Sequence, residues 1–429
     1  MFEKILIPTD LSDDSKKLVA CAGSIRNTGE VILLHIVRTG GSAAQARDDL
    51  LQQQRLITSP SVAVRCIVGN GTGGDIPAAI LNTADSEKPS LIVMGARRGL
   101  LYRSLFGRGG TEILTRSRTH VLIMRFPVQG IFAAPVPAVT GRTLFLRILF
   151  PLDFSRPANE ALAHIRQVAD ATEIILLHVV RRVETEDRMN LVLREVETRL
   201  SEARETIRRD RPEIRVRMMV RFGDPAGRIC TVAAEEKVSL VMMSRYGKMD
   251  YLRQIPLGTT TSKVAAHVAA PVLVMYTRIR LEVTVRELST SEFYIAEKIW
   301  FEYHQTKSDP AHDRIFAVFV EDTPVSIARC KQHPDGYEVD GIFTWEEFRG
   351  RGYARKALDT LIRECGTETL YMYAVQDLVG FYASLGFEPV PEKELPPTIR
   401  ERYVWAMGNM KGADVCPMKR LPAGKNNGA

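Results

Sequence analysis

Short apolar runs of strand length punctuate the first two thirds of the chain, and they come in matched pairs. Lys4 to Asp10 (KILIPTD) recurs as Arg147 to Asp153 (RILFPLD), and Val31 to Val37 (VILLHIV) as Ile174 to Val180 (IILLHVV), both at an offset of 143 residues. Leu91 to Gly95 (LIVMG) matches Leu240 to Ser244 (LVMMS) at 149, and Val121 to Met124 (VLIM) matches Val272 to Met275 (VLVM) at 151. Continuous β-branched runs of this length fit strands buried on both faces of a parallel sheet. Longer amphipathic stretches such as 183–209 lie between them. The alternation predicts βαβ units and one doubly wound α/β domain per copy, over residues 1–126 and 143–278. The Pro-, Gly- and Ala-rich stretch 127–142, PVQGIFAAPVPAVTGR, separates them as a linker.

The pattern changes after residue 278. All three tryptophans (Trp300, Trp345, Trp405) and eight of the twelve tyrosines fall there. A strand is expected at 282–286, a helix at 291–304, a hairpin through 315–320 and 324–330, a strand at 337–344, a helix from 352, a strand at 370–374 and a short helix before GFEPV. This makes an α+β domain over 279–412, with a tail at 413–429 ending in GKNNGA. A chain of 429 residues accommodates three such domains.

Charge is divided unevenly. Residues 1–280 hold 40 basic and 28 acidic side chains, net +12, and residues 281–429 hold 18 and 23, net −5. The basic front suits phosphate-bearing ligands. Its Lys and Arg are spread along the chain rather than clustered with aromatics, which argues against nucleic acid. No apolar run is long enough to span a membrane and no signal-peptide pattern opens the chain, so a cytoplasmic location is expected. Cys21, Cys66, Cys230, Cys330, Cys365 and Cys416 form no CxxC pair and suggest neither a disulfide framework nor a metal site.

Ligands of open α/β sheets sit beyond the carboxyl ends of the strands. There each copy has an Asp after its first strand (Asp10, Asp153). It also has a Gly before a helix, in VGNGTGGDIPAAI around Gly69 and in VRFGDPAGRI at Gly223. A long loop after the fourth strand opens into a helix, GARRGLLYRSLFGRGGTEIL and SRYGKMDYLRQIPLGTTTSKV. Backbone N–H groups in such a loop can cradle phosphate. The second loop, with the PVLVM that follows it, resembles the G-x2-G-x9-G-(S/T) signature of universal stress proteins. It has Ser244 for the first glycine, keeps Gly247, and reaches Gly258-Thr259 after one extra residue. The first loop departs further: Gly95 and Gly99 are separated by three residues, and Gly107 is followed by Arg108. Arg97, Arg98, Arg103 and Arg108 there could still hold an anion, leaving a different phosphate ligand open.

In ATP-binding members of that family the strand-end Asp contacts the adenine end and the loop holds phosphate and ribose. The resemblance therefore implies ATP at Asp153, Gly223, Gly247, Gly258 and Thr259, more than at Asp10, Gly95, Gly99 and Gly107. The same aspartates also suit helix capping, in TDLSDDS and LDFSRPA.

In the last third, VDGIFTWEEFRGRGYARKALDTLIREC passes from a strand through Arg349-Gly350-Arg351-Gly352-Tyr353-Ala354 into an amphipathic helix. Such a turn offers unpaired N–H groups at a positive helix end. It resembles the R/Q-x-x-G-x-G/A loop of GNAT acetyltransferases, and FYASLGFEP (Phe381 to Pro389) resembles that family's second motif. The resemblance implies acetyl-CoA held by Ile342, Phe343, Thr344 and 349–354. Gln376 stands in where Val375 replaces the usual Asn, and Tyr382 is the acid toward the leaving thiolate. An amine of pKa near 10.4 must also lose a proton, for which Asp340, Glu346 and Glu347 are the candidate bases. Each carboxylate equally suits a solvated surface role. A small-molecule or protein amine is the implied acceptor, and self-association into a homodimer is left open. The competing function is a nucleotide-binding stress-response protein with a degenerate acetyltransferase domain.

Overall fold

A computed structural model describes residues 2–37, 40–70, 75–97, 109–126, 143–168, 170–181, 186–301, 307–409 and 415–422. The expected linker 127–142 lies outside them. The chain divides into two compact units, Met1–Ile279 and Arg280–Ala429.

In the first unit, copy one runs β1 (Lys4–Pro8), α1 (Asp13–Ala22), β2 (Glu30–Val37), α2 (Ala43–Gln54), β3 (Ala63–Asn70), α3 (Ile76–Glu87), β4 (Leu91–Arg97), α4 (Gly109–Arg116) and β5 (His120–Phe126). Copy two runs β6 (Arg147–Pro151), α5 (Arg156–Ile165), β7 (Glu173–Val180), α6 (Glu186–Asp210), β8 (Arg215–Phe222), α7 (Pro225–Glu235), β9 (Leu240–Ser244), α8 (Lys248–Leu252), α9 (Thr259–His267) and β10 (Val272–Met275). Both copies are doubly wound and parallel, and their helix starts repeat the same chemistry. Ser12 and Ser155 cap α1 and α5; Asp75 and Asp224 cap α3 and α7.

The two copies form one ten-stranded sheet, β3-β2-β1-β4-β5-β10-β9-β6-β7-β8. The repeated VLIM and VLVM runs supply the seam: β5 and β10 pair antiparallel, with Leu122 opposite Leu273. Strand alternation then sends Ile5, Ile7, Ile148 and Phe150 into one apolar layer and Leu6, Ile32, Leu149 and Ile175 into the other. Each layer holds residues of both copies. Buried arginines lock the seam. Arg245 Nη2 of copy two donates to Ser117 O beyond the C-terminal end of α4 at 2.6 Å, and Arg125 of copy one donates to Ala265 O in the last turns of α9. A cation at a helix C-terminus is favoured by the helix dipole.

The second unit runs β11 (Val283–Glu287), α10 (Phe293–Phe301), β12 (Asp313–Val320), β13 (Thr323–His333), β14 (Gly336–Thr344), α11 (Tyr353–Cys365), β15 (Leu370–Val375), α12 (Val379–Ala383), β16 (Glu388–Pro389), α13 (Pro397–Asn409) and β17 (Val415–Arg420). The sheet order is β11-β12-β13-β14-β15-β17-β16. The expected tail beginning at 413 is corrected here, because Val415–Arg420 is an interior strand between β15 and β16. Pro417 hides it in the sequence, since proline normally demotes a strand. Helix α13 was likewise unforeseen. Its Ile399 and Tyr403 pack on Tyr371 and Tyr373 of β15.

Candidate functional site

In copy two, a cavity of about 550 Å³ opens beyond the carboxyl ends of the strands. Asp153, Gly247 and Thr259 line it, together with His178, Arg181, Lys248, Asp250 and Arg253. Gly223 does not line it; Pro225 and Ile229 of α7 do. Gly258 lies behind the lining, its N–H bonded to Arg245 O at 3.0 Å.

Asp153 is the hinge pin of this site. Its Oδ1 accepts from the Ser155 N–H (3.1 Å) and hydroxyl (2.6 Å), and its Oδ2 accepts from the Lys248 N–H at 2.9 Å. It thus ties the first strand's exit to the start of α8. The N-terminus of α9, where the sequence motif implies phosphate, already faces an anion. Asp250 Oδ2 accepts from the Thr259 N–H at 2.9 Å, and Oδ1 lies 3.3 Å from its hydroxyl. Ser244, in place of the motif's first glycine, donates its hydroxyl to Tyr246 O.

Copy one has its own cavity, about 540 Å³, lined by Asp10, Leu11 and His35 and by Ser42, Gln45 and Asp49 of the α2 region. Asp10 Oδ1 accepts from the Ser12 N–H and the Ser15 hydroxyl. Gly95 sits inside β4, paired with Met124, rather than in a loop. Gly99 and Gly107, with Arg98, Arg103 and Arg108, lie outside the described residues. The two copies share one further feature that no motif marks. His35 and His178 bond through Nδ1 to Thr9 O (2.8 Å) and Leu152 O (2.7 Å), and both line the cavities. The signal was present, because LLH recurs at the offset of 143.

In the second unit, β14 and β15 pair in parallel only at Tyr337–Leu370 and Glu338–Tyr371. Beyond that the strands share no ladder, so the Ile342-Phe343-Thr344 edge opens toward a gap. A bulge helps to turn it. Gly341 has φ +58° and its carbonyl accepts a hydrogen bond from the indole N–H of buried Trp300 at 2.8 Å; any Cβ on Gly341 would strike that ring. In the sequence Trp300 marks only the change of composition after residue 278, and the packing reveals its role.

The glycine loop follows. Gly350 (φ +75°) and Gly352 (φ +76°) take backbone conformations that side chains disfavour, and open space lies where their Cβ atoms would be. Gly352 caps α11 without a side chain, and the first intrahelical bond is Lys356 N–H to Gly352 O. The N–H groups of 353–355 therefore have no acceptor within the helix, which makes an open cradle for an anion. Arg349 and Arg351 flank it, their guanidiniums 5.9 Å from the Phe343 ring centre and 5.8 Å from that of Phe348. Tyr353 points inward against Phe348 and so offers the loop only its backbone. Ala354 is half-buried and Gln376 exposed. Arg355 spans from α11 to Ser384 beside α12, over the Phe381 ring.

Tyr382 is buried, its ring edge-on to Phe381 (5.1 Å) and Phe387 (6.4 Å). Glu346 and Glu347 stand exposed in the turn before the cradle. Asp340 is not a free carboxylate. Arg329 grips it through Nε and Nη2 (2.6 Å each), and Arg402 of α13 adds a third contact at 2.9 Å. Arg329 also bonds buried Asp313, and Arg402 reaches buried Glu338. These side chains bind α13 to the sheet, and burial with the Glu338 charge pushes the nearby Tyr373 phenol up to about 12.

Comparisons with known proteins agree with this layout. The universal stress protein family model matches residues 1–125 and 145–275, and the acetyltransferase (GNAT) family model matches 281–387. Universal stress protein MJ0577 of Methanocaldococcus jannaschii is 30% identical over 155 residues, 31% of this chain and 95% of that protein. A universal stress protein structure from Archaeoglobus fulgidus is 21% identical, covering 64% of this chain and 98% of its own, with a TM-score of 0.47. The ribosomal-protein-S18-alanine N-acetyltransferase of Escherichia coli is 18% identical, covering 34% and 100%, with a TM-score of 0.25. The paired α/β copies with their shared seam and the family match over most of the chain make it a member of the universal stress protein family, with a GNAT acetyltransferase domain joined to its tandem copies.

Proposed function

We propose that the chain is an acetyl-CoA-dependent N-acetyltransferase acting on an amine, with an ATP site in the second stress-protein copy serving as its regulatory or docking module. The uncapped N-terminus of α11 beside the parted β14 and β15 carries this proposal. That arrangement pairs an anion cradle for a pyrophosphate with an exposed strand edge for a pantetheine arm. Tyr382 is the proton donor to the departing thiolate, and Glu346 or Glu347 takes the amine proton through water. Asp340 recedes from that role because three guanidinium contacts occupy it. Its work is to position β14 and α13. The ATP assignment rests on Asp153, Gly247 and Thr259 converging on one cavity with three basic neighbours.

The deciding experiment measures acetyl-CoA binding, and CoA release against polyamines, amino acids and protein lysines, on the full chain and on Gly352→Glu. The variant places a bulky like charge on the cradle and should abolish cofactor binding. Equal binding by both proteins would return the second unit to a non-enzymatic role.

A further inference from the structure

The second unit contains a pair of thiols that neither candidate site uses. Cys330 lies on β13, directly opposite Arg314 of β12 in the ladder, and Cys365 is the last residue of α11, which packs across both strands. Both are buried. Arg314 Nη1 donates to Cys365 Sγ at 3.4 Å and to the neighbouring Glu364 carbonyl at 3.0 Å, while Glu287 of β11 fixes the rest of the guanidinium at 2.7 and 2.8 Å. Arg314 thus joins the two thiols, facing Cys330 across the ladder and holding Cys365 through its guanidinium. Arg314 is about two-fifths exposed, with a side-chain accessibility of 43%, so solvent reaches the group that touches Cys365.

We propose that Cys330 and Cys365 form a redox-active dithiol which a peroxide converts to an intramolecular disulfide, pinning the C-terminal end of α11 to β13. The pair is asymmetric in the way such chemistry needs. The neighbouring Cys330 thiol and the Arg314 charge lower the Cys365 thiol below its usual range, whereas the Cys365 thiol and burial raise Cys330. Cys365 is the attacking thiolate. Its sulfur bonds one peroxide oxygen, the O–O bond breaks, and the departing hydroxide takes a proton to become water. Cys330 then gives up its proton and attacks the Cys365 sulfenic sulfur, forming the S–S bond as the S–O bond breaks and a second water leaves. Two electrons pass from the thiols to one peroxide. Burial raises the thiols of Cys21, Cys66 and Cys230.

The test uses the full chain. It is exposed to a small excess of hydrogen peroxide under native conditions, quenched, unfolded and alkylated, and its non-reduced chymotryptic digest is read by mass spectrometry. Two of the six thiols should become unavailable, a Cys330–Cys365 linked peptide should appear, and dithiothreitol should remove it. Cys330→Ser should halt at a sulfenic acid on Cys365 that dimedone traps. Arg314→Leu should slow the cross-link about tenfold. The proposal fails if both thiols stay alkylatable while other cysteines oxidise, or if the linkage formed joins different residues or different chains. The wild-type result decides on its own, whether or not a variant folds, and it does not depend on the acetyl-transfer proposal.

Discussion

Two residues separate chemistry from binding. Tyr382 is held by Phe381 and Phe387, so removing only its hydroxyl leaves the aromatic packing in place. Tyr382→Phe should lower kcat by about 10- to 1000-fold, the range of one general acid, with acetyl-CoA affinity nearly unchanged. A silent variant would make the tyrosine an anchor for α12. Asp250 poses the opposite question in the first unit. Its carboxylate lies against Thr259 at the N-terminus of α9, where a phosphate would compete for the same N–H and hydroxyl. Asp250→Asn keeps an acceptor there but removes the charge opposing ATP. Affinity should rise about tenfold, equivalent to about 1.4 kcal/mol, in a calorimetric titration of the full chain. A fall in affinity would mean that Asp250 assists the nucleotide.

Among the elements, the strands were the most legible. The duplicated runs identify β1 and β6, β2 and β7, β4 and β9, and β5 and β10, because buried parallel strands need uninterrupted apolar residues. The glycine loop before α11 was legible too, through its spacing. Contacts made only on folding were not. Pro417 masked β17, the bulge at Gly341 needs Trp300 to explain it, and Asp250 sits in the short helix α8 with nothing local to mark its contact with Thr259. The seam between β5 and β10 was invisible for the same reason, although its sequence was in plain view.

That seam carries a pH prediction. His120, at the start of β5, accepts the Tyr276 N–H through Nδ1 at 3.0 Å. Burial, with His164 and Arg245 nearby, pushes it down to about 4 from its ordinary 6.5. Burial lowers His164 as well. The unfolded chain thus binds more protons than the folded one between pH 6.5 and 4. The stability is fully present above pH 6.5 and is lost as pH falls toward 4, by about 3 kcal/mol for His120. His120→Asn retains an acceptor without the titration. Its melting temperature should change less than the wild type's between pH 7.5 and 5; parallel curves would show that the loss arises elsewhere.

At the scale of the whole molecule, the two copies cannot be tested for nucleotide binding apart from one another. Cutting between them would expose the β5 and β10 edges and strand Arg245 and Arg125 without the carbonyls they cap. Comparison of the two cavities therefore belongs in the full chain, with Asp153→Ala expected to weaken ATP binding more than Asp10→Ala. The same architecture bears on regulation. Arg245 follows β9 directly and leads into the loop that holds Gly247, so an ordering of that loop by the proposed nucleotide would act on a residue anchored in the other copy. A ligand-driven shift in copy two would thus reach copy one through the seam, in the unit to which the acetyltransferase domain is covalently joined. Saturating ATP should change acetyl-CoA affinity about fivefold, a coupling of about 1 kcal/mol, and saturating acetyl-CoA must then change ATP affinity by the same factor. Measuring both arms guards against an effect of ATP on the assay alone, because only true coupling is reciprocal. If both affinities are indifferent to the other ligand, the stress-protein unit is a docking module and its nucleotide serves a partner other than the acetyltransferase.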